Sequence, residues 1–262
     1  MKTVLIVTDL EGVSGVESME QMNDTEHGGY AFSCERLTAD TNAAITGAFD
    51  GGAERVIVED GHGTGKNFVP GGLDPRAEQV NTCSPDFSLD GVICVMQVGA
   101  HAMSGTLCAF LDHTQSSVAW HDYKINGRRC GEMAQTAGFT GAFGIPCTMV
   151  SGDSAACMEA RQFFGGEVAC AEVKTALRRN RAVCIGREEA EKRIREAAER
   201  GVALAETMKP FRVLLPMELT VEYNRADYCD DVCAWRNDIE RLDARTVRRV
   251  VGSIRNFRDM LI

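Results

Sequence analysis

Long apolar runs are missing from this chain of 262 residues. No window approaches the roughly 18 uncharged apolar residues that a membrane span needs. The opening run Val4–Val7 is too short for the core of an export signal, which takes about 7–15 apolar residues. Positive charge is scarce as well: 28 Lys and Arg stand against 38 Asp and Glu, a net charge of −10. Duplex nucleic acid and anionic membrane surfaces are repelled by such a chain, so neither is expected as a partner. Eleven cysteines are present, yet Cys-x-x-Cys is not. Cys94, Cys108, Cys147 and Cys184 sit singly in apolar segments and Cys229 and Cys233 stand alone, which argues against a cysteine zinc site. The expectation is a cytoplasmic protein whose reduced cysteines act as small core hydrophobes. Linkers, low-complexity tracts and repeats are also lacking. A single domain over residues 1–262 follows, with an elaborated C-terminal part and a possible sub-lobe at 210–262.

What is there is an ordinary globular composition, 44% hydrophobic and 25% charged. Runs rich in β-branched residues alternate with helical patterns, the signature of an α/β fold with a mainly parallel sheet flanked by helices. Strands are expected at Thr3–Thr8, Arg55–Glu59, Val92–Gly99, Thr148–Ser151 and Val168–Glu172. Helices are expected at Arg36–Phe49, Gly131–Phe143, Ser154–Phe164, Arg187–Thr207 and Ala244–Leu261. A hairpin excursion over Ser117–Cys130 turns at Asn126-Gly127, a dipeptide that favours a tight turn. Beyond Lys209-Pro210, Val213–Glu222 reads as one long alternating strand.

Metal-ligand residue types collect at the strand ends. Asp9 and Glu11 follow the first strand, His62 the second and His101 the third. In a parallel sheet all three positions lie at the carboxyl edge, where open α/β folds build their sites. Two carboxylates two residues apart point to one side of an extended chain and repel unless a cation lies between them. Gly12 and Gly15 allow a close turn there. Imidazole and carboxylate together suit zinc, manganese or cobalt better than magnesium or calcium. Glu132, at a helix start where the dipole favours an anion, is a further ligand candidate. Taken singly, Asp-x-Glu is a helix cap, His62 a loop residue and His101 a hydrogen-bonded core histidine. With only five histidines in the chain, two of them at successive strand ends favour a metal site. His113 lies beside Asp112, a carboxylate that can orient it, while His27 and His121 read as structural or surface residues.

Two other motifs compete. Gly61–Asn67 has the texture of a phosphate loop, but Asp60 and Asn67 stand where glycine and Ser or Thr are required. Asp9-Leu10-Glu11-Gly12 is somewhat like the haloacid-dehalogenase phosphatase motif, in which Asp9 would be the nucleophile of a magnesium enzyme. That alternative leaves His62 and His101 without a purpose. A third reading is a metal-binding protein without catalysis.

Asp9-x-Glu11-Gly12-Val13-Ser14-Gly15, Asp60-Gly61-His62, Gly99-Ala100-His101-Ala102, His113, Asn126, Gly131-Glu132, Met149–Asp153 and Val173-Lys174-Thr175 together resemble the zinc-dependent D-aminopeptidases typified by the enzyme of the bacterial dipeptide-transport operon. The resemblance runs to about Arg181 and holds only in general plan beyond it. It implies two zinc ions, with Asp9 bridging, Glu11 and His101 on one ion and His62 and Glu132 on the other, and His113 as the catalytic histidine. It also implies a ring-shaped homo-oligomer and short peptide substrates with an N-terminal D-amino acid. The chain departs from that pattern at Val7, Gly61, Ala100, Asp112, Met133 and Thr136, around the ligands rather than in them.

Overall fold

A computed structural model of the chain describes residues 1–262. In order, its elements are β1 (Thr3–Thr8), α1 (Met19–Asn23), α2 (Gly29–Asp50), β2 (Arg55–Asp60), β3 (Ala77–Gln79), β4 (Val92–Ala100), β5 (Trp120–Ile125), β6 (Arg128–Arg129), α3 (Glu132–Ala142), β7 (Cys147–Asp153), α4 (Ser154–Phe164), β8 (Ala169–Arg178), β9 (Arg181–Cys184), α5 (Arg187–Leu204), β10 (Met217–Tyr223), α6 (Ala226–Trp235), β11 (Glu240–Arg241) and β12 (Thr246–Val251), closed by a 3₁₀ turn at Phe257–Met260. No helix is long and apolar enough to cross a membrane.

Seven strands form the first sheet in the order β3-β2-β1-β4-β7-β8-β9, and every pairing is parallel except the last. Alternation along β1 sends Val4 and Ile6 to one face, where they meet Ala44, Ile45 and Ala48 of α2 and Ala190 and Ile194 of α5. Leu5 goes to the other face, packed with Met133 and Ala137 of α3 and Ala156 and Ala160 of α4. Both faces being covered, the central strands read as nearly unbroken apolar runs.

The second sheet is antiparallel, in the order β11-β12-β10-β5-β6. Its inner residues Met217, Leu219, Val221 and Tyr223 pack with Ala134 and Phe139, so α3 lies between the two sheets. The hairpin forms as the sequence predicts, with Asn126 and Gly127 both at positive φ (50° and 78°). It is a component of this second sheet, so residues 210–262 do not build their sheet alone.

Three expectations need correction. Ala244–Leu261 is not a helix but β12 followed by the 3₁₀ turn. Its Thr-Val-Arg-Arg-Val-Val run is rich in β-branched residues, and pairing Val247 with Val221 and Val251 with Met217 overrides the helical spacing. Helix α2 begins at Gly29, seven positions before Arg36, because its first turns alternate exposed with buried residues and carry no apolar stripe to read. The strand expected over Val213–Glu222 starts only at Met217.

Candidate metal centre

Asp9 and Glu11 leave the carboxyl end of β1 in a turn that presses against the end of β4. The Gly12 amide donates to the Gly99 carbonyl at 2.7 Å. A Cβ on Gly12 would lie 2.1 Å from the Ala100 carbonyl oxygen, and one on Gly99 would lie 2.1 Å from that of Asp9. Only glycine permits this approach, which brings the β1 carboxylates beside His101. His62 arrives from the β2 end on a loop locked by Asn67, whose amide groups donate to both oxygens of Asp60 (2.5 and 2.9 Å) and to the His62 carbonyl (2.7 Å). Glu132 opens α3 behind Gly131.

The six side chains meet. His62 Nδ1 is 3.0 Å from Asp9 Oδ1 and 3.1 Å from Glu11 Oε2, while His101 Nε2 is 3.2 Å from Asp9 Oδ2 and 3.3 Å from Glu132 Oε1. Asp9 therefore faces one histidine with each oxygen. His113 Nε2 stands farther off, 3.7 Å from Glu132 and 4.0 Å from Glu11. Its ring stacks on that of His101 with centroids 4.0 Å apart. Two groups have donor atoms close enough to share an ion: Asp9, Glu11 and His62, and His101, His113 and Glu132. This grouping puts Glu11 with His62, and His101 with Glu132, which crosses the pairing that the resemblance implies.

Hydrogen bonds fix the imidazoles. The Nδ1 atoms of His101 and His113 are 3.0 and 2.8 Å from the carbonyls of Ala102 and Leu111, so each ring carries its proton on that side and turns Nε2 toward the cluster. His101 Nε2 is buried with no hydrogen-bond partner. A buried lone pair facing two carboxylates, Asp9 and Glu132, is the environment that a divalent cation completes, and the mixed nitrogen and oxygen donors fit zinc. Without a cation, protons take its place. Burial opposes charge on His62, but Asp9 and Glu11 outweigh it and raise its pKa to about 11. Burial likewise opposes charge on His101, yet Glu132 and Asp9 hold its pKa well above the ordinary value. Burial would raise the Glu11 and Glu132 carboxyls, and the facing histidines lower both instead.

The cluster lies in a cavity of about 700 Å³. Its walls include Val7, Gly61, Ala100, Met133 and Thr136, five of the six departures from the family pattern. Asp112, the sixth, is instead paired with Arg179 Nε at 3.2 Å and accepts the Gly105 amide. His27 and His121 are exposed on the surface. Sequence reasoning passed over the buried groups behind the ligands. Lys174 donates to the carbonyls of Glu11 (2.7 Å) and Val16 (2.6 Å), and burial pushes its pKa down to about 8. Asp40 accepts from the amide and hydroxyl of Ser14, both at 2.7 Å. Nothing in the residue pattern marked either role, although Lys174 lies in the Val173-Lys174-Thr175 stretch of the resemblance.

The M55 peptidase family, described as D-aminopeptidase, matches residues 1–261. The chain belongs to this family. It is a peptidase of the metallo-aminopeptidase class, and the phosphatase and non-catalytic alternatives find no support. A D-aminopeptidase of Bacillus subtilis (strain 168) is 26% identical over 231 residues, covering 85% of this chain and 82% of that protein. The solved structure of the zinc-dependent D-aminopeptidase DppA from Bacillus subtilis, a self-compartmentalizing protease, superposes with a TM-score of 0.88 at 22% identity. That match covers 99% of this chain and 94% of the other, so the D-aminopeptidase chain shares its α/β fold.

Proposed function

We propose that this chain is a two-zinc aminopeptidase that removes an N-terminal D-amino acid from short peptides. The observation that carries the reading is Asp9, whose two oxygens face His62 and His101 from opposite sides. Asp9 would bridge two ions, with Glu11 and His62 completing one site and His101 and Glu132 the other; manganese or cobalt can replace zinc in such a donor set. Cations held there would supply Lewis acidity, lowering the pKa of a water toward about 7 and polarising the scissile carbonyl. The protein's own task is placement. The Gly12–Gly99 contact and the Asp60–Asn67 lock fix the carboxylates and His62. His113, its Nδ1 tied to Leu111, keeps Nε2 free at the cluster's margin to give a proton to the leaving amine.

The description of DppA as self-compartmentalizing supports assembly of this chain into a closed homo-oligomeric ring that admits short or unfolded peptides only. Eleven unpaired cysteines suit the reducing cytoplasm. Paired D-Ala and L-Ala dipeptides and amino-acid amides test the reading, with and without chelator. Metal-dependent cleavage of the D series is expected. Preference for the L series would remove the stereochemical assignment, and turnover unchanged by chelator would end the two-metal reading. Light scattering checks the assembly.

A further inference from the structure

Lys174 sits in the middle of β8 at 1% exposure, with no direct part in the cluster. Three contacts of its ammonium bear on the centre, beside the buried carboxylates Asp153 and Asp40 in its vicinity. Two are the carbonyls of Glu11 and Val16, the first belonging to the residue whose carboxylate faces His62. The third is the ring of Phe110, centred 4.7 Å from Nζ and three residues before His113. One buried cation thus grips the ends of the turn that presents Glu11 and touches the segment that presents His113. The middle of that turn is held through Ser14 by Asp40, which Arg36 pairs at 3.1 Å. Without Lys174 the turn would keep its anchors at Gly12 and Ser14, but the Glu11 carbonyl would be left buried without a donor.

We infer that Lys174 is a positioning residue for the metal centre, fixing the Glu11 carboxylate through the Glu11 main chain and so setting the affinity of the ion held by Asp9, Glu11 and His62. The inference rests on the two-metal reading. It goes further in assigning the two ions different supports, because the hydrogen bonds of Lys174 go to the main chain of the Glu11 turn and none goes to the residues carrying His101 or Glu132. Groups that orient metal ligands from behind typically change metal affinity by about 10–100-fold when removed.

The test is zinc titration against a competing chelator on the full chain. Wild type is expected to take up two ions. Lys174→Met should keep one at wild-type affinity and bind the other about 10–100-fold more weakly. Lys174→Arg, which retains the charge but not the geometry, should weaken the same ion less and carries the test if the methionine variant fails to fold. Leu219→Ala, destabilised in the second sheet, should bind both ions as wild type does, separating positioning from stability. Two ions at wild-type affinity in a folded Lys174 variant would overturn the inference. So would failure of both variants to fold, since the lysine would then be holding the core. A wild-type chain that takes up no transition metal would instead overturn the two-metal reading itself.

Discussion

The two sheets of this molecule divide its labour. At the carboxyl edge of the parallel sheet, single residues from segments far apart in the chain converge, and three carboxylates are held within reach of one another. The antiparallel sheet is regular, with Met217, Leu219, Val221 and Tyr223 inside and outward charges paired, as Arg248 with Glu218 and Arg245 with Glu222. The first region holds together groups that repel, and a cation resolves the conflict. The second contributes apolar burial, and none of its strands lines the cavity, which takes from the tail only Phe257 of the 3₁₀ turn. Function and stability should therefore respond to different substitutions.

The sharpest break is expected at the ligands. His62→Ala or His101→Ala should lower the metal content measured by elemental analysis and remove turnover, whereas full occupancy in either variant would mean that a ligand has been misassigned. His113→Ala comes next, with both ions retained and kcat reduced about 10²–10⁴-fold, the usual worth of a positioned proton donor; an emptied site would instead make His113 a ligand. On the other side of the comparison, Leu219→Ala should cost about 2–5 kcal/mol in denaturant unfolding. Its activity per folded molecule should stay unchanged, and a loss would show that the second sheet shapes the centre.

Smaller effects come from pH. The raised histidines mean that an entering ion displaces protons, so zinc affinity should fall as pH is lowered from 8 to 6. In the chelated chain, His62 has its pKa raised to about 11, so its stabilisation is complete below its ordinary 6.5 and is lost as pH rises through about 11. Melting curves of chelated protein should drop over that alkaline range, and those of the zinc-loaded form should drop less. Equal drops would detach the histidines from the centre. The smallest effect is expected at Cys83, which lines the cavity. Cys83→Ser should leave turnover unchanged, and its loss would revive a thiol mechanism.

The central strands β2, β1, β4, β7 and β8 were legible because burial makes each an apolar run, and their ends then placed Asp9, Glu11, His62 and His101 on one edge, whereas the short, exposed edge strands β3 and β9 carry no such run. Glu132 and His113 were legible as candidates from their settings. The tail was harder to read: Thr246–Val251 becomes a strand through its pairing with β10, information that lies some thirty residues away. The supports of the site were hidden for a related reason. Lys174, Asp40 and Asn67 act by hydrogen-bonding the main chain of distant turns, and main-chain partners leave no mark in a sequence.

The segment around His113 has a consequence for heating. Cys108, Leu111 and Gln115 all adopt left-handed backbone (φ 57°, 50° and 60°), a conformation that costs non-glycine residues of order 1–3 kcal/mol each. Hydrogen bonds from Phe110 to Asp153 and from Leu111 to the Arg179 carbonyl hold the coil shut. Together with Arg179 on Asp112 and Glu132 on the Gln115 amide, these polar latches oppose the strain, and they release before the sheets beneath melt. Warming should therefore silence the enzyme reversibly at temperatures where its circular dichroism is still intact, and the working range of the protein is set by a dozen residues rather than by its core.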